Sequence, residues 1–390
     1  MSRILAFGDS QLGVATVDLA DQRDVLDRIV QVALERQVDT VLHGGDVFEG
    51  PVVTPAQLRT FVDATRPLRD AGIPLLVIRG NGRHDMAVRD VHALDILREV
   101  DGITVSDTPA VSVLANKVAV CTLPWVHPGR LIANANGSLT HDEASLNTSD
   151  MLVRIAQHLR ERVVGLADLP KVLLAHWAIS GSALPTGLNV NDLREPVLPW
   201  ADLDAIGYDA IIGAHIHQPQ TLSNPELDQT LGIVVGSPQQ LNHGETGEHG
   251  CWILDLGADG YYAPPAFPPS AEFVPIESKR FVTYDFDAAE LLNGEMFWPN
   301  SEGDIVRVRY QATEDEARRI DHDRLRQSAL ACGIHSFKIE PTIIRKDRAR
   351  AQQISEQLSP IDALAAYCDA NDVDPDRALA MLARLKEWSE

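Results

Sequence analysis

The chain has 390 residues, 45% hydrophobic and 23% charged, with a formal net charge of −22. That length calls for one large domain plus smaller additions, and the composition is that of an ordinary globular protein. The charge argues against a surface that grips nucleic acid all over, and no apolar run approaches the roughly 18 residues of a membrane helix. Cys121, Cys251, Cys332 and Cys368 lie too far apart for a paired metal or redox motif, and residues 4–7 are too short an apolar run for a signal peptide. Reduced thiols and the missing leader make the cytoplasm the expected location. The charge is uneven: residues 301–350 hold 11 Lys and Arg against 9 Asp and Glu, so the rest of the chain carries −24.

In chain order, residues 4–7 read as a buried strand and residues 21–37 as a helix with apolar Val25, Ile29 and Val32 on one face. Residues 38–43 form the next strand. Thr54 and Pro55 supply an N-cap and a first-turn proline for a helix ending before Gly72, and residues 73–79 are the third strand. Strand, helix, strand at these lengths predicts parallel crossovers and an α/β sandwich. Further strands are expected at 118–123, 171–175, 210–214, 233–235 and 251–256, with a helix at 150–164. The proline-rich residues 263–270 read as an extended connector. The large domain is expected over 1–275, a small α+β domain over 276–345, and a basic linker with a helical tail over 346–390. Ser359-Pro360 and Asp374-Pro375 each open a tail helix.

The chemistry-bearing residues follow the strands: Asp9 and Gln11 after the first, Asp46 after the second, Asn81 and His84 after the third, then His176, and His215 with His217. The carboxyl ends of strands in an open α/β sheet form its ligand-binding edge, and an extended His-x-His sends both rings to one side. Mixed Asp, Asn and His donors suit hard or borderline divalent ions, with manganese the natural candidate and magnesium an alternative. A carboxylate such as Asp46 could bridge two ions about 3.5–4 Å apart, the clamp used for in-line displacement at phosphorus.

The order Asp, Gly-Asp, Gly-Asn, His, His-x-His resembles the calcineurin-like metallophosphoesterases. "GDVFEG" and "LPW" at residues 123–125, the segment "RVRY…LRQSALACGIHSFKIE" and the tail "SPIDALAAYCDAND" are similar to the SbcD-type nuclease subunits of DNA double-strand-break processing. The resemblance implies a metallophosphoesterase sandwich, a DNA-facing cap, and a tail that docks on an SbcC-like ATPase. It leaves a homodimer open. It also implies metal ligation by Asp9, Gln11, Asp46 and His217 at one ion and Asn81, His176 and His215 at the other, with Asp46 bridging, and a general-acid role for His84. Two departures stand out. Gln11 replaces the family's histidine, so the first ion should bind the more weakly, and Gly82-Arg83 interrupts the Gly-Asn-His motif.

Three functions compete. A DNA nuclease subunit needs cap and tail; a stand-alone phosphodiesterase needs neither; a subunit that binds DNA ends without cutting would explain both departures. Of the other residues, His43 is expected in the core or behind the site, His127 and Glu49 in solvent, and His243 and His249 in a flexible loop without function. The basic run 345–350 suits either solvent or a DNA backbone.

Overall fold

The computed structural model describes residues 1–85, 92–127, 141–184, 190, 193, 195–223, 230–257, 269–293, 298, 301–344, 358–371 and 373–389. Its strands are β1 (Ser2–Phe7), β2 (Thr40–His43), β3 (Leu75–Ile78), β4 (Ile103–Ser106), β5 (Ala110–Leu114), β6 (Val118–Leu123), β7 (Lys171–Ala175), β8 (Ala178–Ile179) and β9 (Val197–Leu198). They continue with β10 (Ala210–Gly213), β11 (Gln220–Thr221), β12 (Leu231–Val234), β13 (Gly250–Leu256), β14 (Ser270–Pro275), β15 (Phe281–Asp287), β16 (Ile305–Thr313) and β17 (Ser336–Ile344).

Two six-stranded sheets dominate, ordered β14-β13-β1-β2-β3-β4 and β11-β12-β10-β7-β6-β5. Side chains alternate between the faces of a strand, and β1 shows what that does. Leu5 and Phe7 join a core with Val25 and Ile29 of helix Leu19–Glu35 and with Phe61 and Leu68 of helix Pro55–Asp70. Ile4 and Ala6 face the other way and meet Val120, Leu174 and Ile212 of the second sheet. On that sheet's far side Cys121, Leu173 and Ile211 pack on Leu152, Ala156 and Leu159 of helix His141–Arg162. The result is a four-layer α/β/β/α sandwich. Each fully buried Leu or Ile in it contributes about 1.5–3 kcal/mol through the area it removes from water.

Strands β1 to β4 run parallel, as do β6, β7, β10 and β12, so each sheet gathers the carboxyl ends of its strands on one edge. β4 and β5 are additional to the expected strands; both are short and partly exposed, which leaves no clear apolar run to read. The connector expected at 263–270 falls mostly outside the described residues, but β14 begins at Ser270 and pairs antiparallel with β13, so it is a strand of the first sheet.

The chain divides into one unit of Met1–Val282 with Gly303–Ile305 and another of Thr283–Glu302 with Val306–Glu390. In the second, the order β15-β16-β17 forms a small sheet. Along β16, Val306, Val308, Tyr310 and Ala312 are buried, while Arg309 and Gln311 point outward. Helices Pro360–Ala370 and Pro375–Ser389 pack on each other, and the Ser359 side chain caps the first by accepting from the Asp362 N–H. The basic run 345–350 lies outside the described residues. No helix among the described residues is long and apolar enough to cross a membrane.

Candidate metal centre

The site starts with the backbone. Asp9, Gln11, Asp46 and His215 all have positive φ (51°, 40°, 53° and 87°), a conformation that costs non-glycine residues about 1–3 kcal/mol each. Cross-links between strand ends hold them there. The Asp9 N–H donates to Gly45 O at 2.9 Å and the Gln11 N–H to Asp46 O at 3.0 Å. The His215 N–H donates to Asp9 Oδ2 at 3.0 Å, tying the second sheet to the first. Gly80 is required by close approach: a Cβ there would stand 1.9 Å from Asp46 Oδ1.

Asp46 is the hub. Its Oδ1 accepts from the Asn81 N–H at 2.7 Å and its Oδ2 from Asn81 Nδ2 at 2.6 Å. His176 Nε2 lies 3.3 Å from the same Oδ2. One donor atom each from Asp46, His176 and His215 fall within 4.8 Å of one another. Each histidine is held from behind. His176 Nδ1 donates to Gly44 O at 2.7 Å, His215 Nε2 meets Glu195 Oε1 at 2.7 Å, and His217 Nδ1 meets Glu245 Oε1 at 2.8 Å. Such outer contacts fix ring orientation and tautomer in metal sites. Asp9 Oδ1 and His176 Nε2 are buried without a hydrogen-bond partner. Buried polar atoms are rarely left so, and a carboxylate oxygen and a ring nitrogen in this state beside Asp46 fit a divalent cation, which would displace any proton on the ring.

The interrupted third motif folds into a single turn. The His84 and Asp85 N–H groups both donate to Asn81 O, Arg83 is exposed, and a Cβ on Gly82 would touch the Trp125 ring at 2.9 Å. The extra pair therefore bulges outward and His84 returns to the cluster. Its Nδ1 donates to Glu49 O at 2.6 Å, and its Nε2 lies 3.8 Å from Asp46 Oδ2. Asn81 Oδ1 accepts from the Arg83 N–H at 2.8 Å, so the amide braces both the turn and Asp46. Gln11 Nε2 sits 3.1 Å from His217 Nε2 and 3.4 Å from His84 Nε2. The structure thus gathers Asp9, Gln11, Asp46, Asn81, His84, His176, His215 and His217 at one end of the two sheets.

Some residues sit otherwise than expected. Glu49 is no fully solvated acid: it is half-buried, with Oε2 3.9 Å from His84 Nδ1. His249 is buried against Ser237, whose Oγ lies 2.9 Å from its Nδ1, because the loop before it folds back beneath His217. Two others sit as expected: His43 is buried with Nε2 2.9 Å from Ser10 Oγ, and His127 is exposed beside Trp125. Sequence reasoning missed Asp85, Glu195 and Glu245. Asp85 accepts from the Asp46 and Gly80 N–H groups at 3.0 and 2.8 Å, and its place directly after His84 was the available signal. The two glutamates are 20 and 28 residues from their histidines, with no spacing to announce them.

Charge follows this geometry. Burial disfavours an ionised His176, yet Asp46 outweighs it and lifts the ring to about 10. Burial likewise opposes ionisation of Asp46, but His176 overrides it and lowers the carboxyl to about 2. Burial works against a charged His217 as well, and the Glu245 hydrogen bond reverses it, raising His217 to about 9. Burial and then Asp46 push Asp85 up to about 7. His43, buried without sufficient compensation, falls to about 3.

The family model described as Calcineurin-like phosphoesterase matches residues 2–219. The SbcD component of the nuclease SbcCD from Bacillus subtilis is 29% identical over 266 residues, 63% of each chain. Its counterpart in Rhodobacter capsulatus is 25% identical over 268 residues, 64% of each chain. The DNA double-strand break repair protein Mre11 of Aeropyrum pernix is 34% identical over 108 residues, 26% of each. The chain thus spans under two thirds of the length of these curated relatives.

Proposed function

The chain belongs to the calcineurin-like phosphoesterase family, and from that premise we propose that it is a metal-dependent phosphodiesterase that cuts DNA, working with an SbcC-like ATPase. The observation that carries this reading is the strand-end cluster, in which Asp9 Oδ1 and His176 Nε2 are buried without a hydrogen-bond partner beside Asp46. Asp9 and His217, with Gln11 beside them, would hold one ion; Asn81, His176 and His215 would hold a second; Asp46 would serve both. Two divalent ions, manganese or magnesium, would supply a hydroxide at neutral pH and offset charge on the phosphoryl oxygens. His84, anchored through Nδ1 on Glu49 O, keeps Nε2 toward the cluster, where its charged form can hand a proton to the departing oxygen.

DNA as substrate is supported by the names of the relatives, the SbcD component of nuclease SbcCD and the break-repair protein Mre11. An ATPase partner is supported by the tail, where Ile361, Leu364, Leu382 and Leu385 are only half-buried and Leu379 is 66% exposed. An amphipathic helix pair left this open suits a partner's groove. The test is digestion of linear, hairpin and single-stranded DNA with manganese, alongside Asp46→Ala. We expect cutting by the wild type and its loss in the variant by at least about a hundredfold, given the usual cost of a metal or charge-stabilising group. Undiminished cutting by Asp46→Ala would remove this site from the chemistry. Metal binding without cutting of any substrate would favour a subunit that holds DNA ends, the reading to which Gln11 beside His217 lends support.

A further inference from the structure

Gln11 stands where it can block as well as bind. Its terminal amide nitrogen lies 3.1 Å from His217 Nε2 and 3.4 Å from His84 Nε2. Both rings are pinned at Nδ1, His217 by the Glu245 carboxylate and His84 by Glu49 O. In their neutral forms the two Nε2 atoms are therefore lone-pair acceptors, and an –NH2 group has two N–H bonds to offer them. Were His217 charged, its Nε2–H would face the same amide turned over, with Oε1 accepting. In either state the nitrogen that His217 would give to an ion is paired with Gln11. The pairing is also sheltered, since Gln11 is 6% exposed and its backbone is tied to Asp46 O.

The other flank is different. His176 Nε2 is buried without a hydrogen-bond partner, and donor atoms of Asp46, His176 and His215 already converge within 4.8 Å. Among the described residues, the group His176 Nε2 faces is the Asp46 carboxylate, 3.3 Å away and itself a proposed ligand of the same ion, so no third side chain has to withdraw for that ion to enter.

We propose that Gln11 is a plug: the centre takes one divalent ion tightly at Asp46, His176 and His215, and a second enters beside Asp9 only when the Gln11 amide releases His217. The proposal rests on the metal-centre reading above, and it differs from treating Gln11 as a weak ligand in one sharp respect. Removing a ligand weakens a site, whereas removing a plug strengthens it.

Wild type, Gln11→Ala and Gln11→His, each stripped by chelator, are titrated with manganese(II) and followed by calorimetry and electron paramagnetic resonance. In the wild type the first equivalent gives the six-line spectrum of an isolated ion, and the second binds more weakly. Gln11→Ala tightens the second ion by up to about tenfold, the equivalent of one hydrogen bond no longer broken. Gln11→His tightens it further and gives an exchange-coupled pair at two equivalents. Should Gln11→Ala fail to melt cooperatively, Gln11→Asn, which withdraws the amide from His217, carries the same expectation. A second ion weakened by Gln11→Ala, or two ions of equal affinity in the wild type, would overturn the plug. Binding of no ion that Asp46→Ala removes would overturn the metal-centre reading along with it.

Discussion

At Gly80, one missing methyl group decides whether the hub of the site exists. A Cβ would collide with Asp46 Oδ1 at 1.9 Å and with the Asp46 nitrogen at 2.3 Å, and both atoms are fixed by Asn81 and Asp85. Gly80→Ala should therefore displace Asp46 and weaken manganese uptake by at least about tenfold, comparable to damage in the shell supporting a metal ligand; unchanged calorimetric affinity would show that the turn can yield. Asp85 offers a test in pH. Its carboxyl lies near 7 against an ordinary 3.8, so the folded protein keeps a proton that the unfolded chain has already lost. Stability from this group is present below about pH 4 and lost as pH rises through 7. Asp85→Asn keeps an oxygen for the Asp46 and Gly80 N–H groups. In metal-free protein it should match the wild-type Tm near pH 4 and exceed it by a few degrees near pH 8. A variant less stable at pH 8 would mean that the ionised carboxylate is itself stabilising.

Elements position these residues through their ends. Helix Pro55–Asp70 begins with a reciprocal cap: Thr54 Oγ1 accepts from the Gln57 N–H, and Gln57 Oε1 from the Thr54 N–H. Gln57 also donates through Nε2 to Leu12 O, one residue beyond Gln11, so the cap steadies the loop that carries the first strand-end residues. Thr54→Ala should cost about 1 kcal/mol in urea denaturation while leaving metal stoichiometry unchanged. A loss above about 2 kcal/mol would show that the loop, and not the helix alone, depends on Thr54.

For the molecule as a whole, the net charge of −22 leaves few places for DNA to be held by Lys and Arg alone. Among the described residues of the tail helices, Ile361, Leu364, Leu382 and Leu385 are only half-buried and Leu379 is exposed. If the tail is the proposed partner-binding element, deleting residues 359–390 should leave manganese uptake and basal phosphodiester hydrolysis within about twofold, since independent sites behave additively, and abolish any stimulation by an SbcC-like ATPase. Loss of metal binding on deletion would show instead that the tail supports the phosphoesterase fold.

Much of this protein is written locally. The strands at β1, β2, β3, β6 and β7, and the capped helix after Thr54, follow from apolar runs and from N-cap and proline signals that act within a few residues. The candidate donors could be named because each directly follows a strand, where a parallel sheet exposes its ligand-binding edge. What the sequence could not settle are the contacts between residues far apart along the chain. Glu245 behind His217 and Glu195 behind His215 depend on loops distant in sequence returning to the strand ends, and the Asp9 carboxylate fastening the His215 backbone depends on two sheets meeting face to face. The return of His84 past Gly82-Arg83 depends on Trp125 giving the turn a surface to bulge against. Gln11 marks the division most clearly. Its identity announced a changed ligand, but its pairing with His217 exists only because tertiary packing places two rings, 73 and 206 residues away, within reach of one amide.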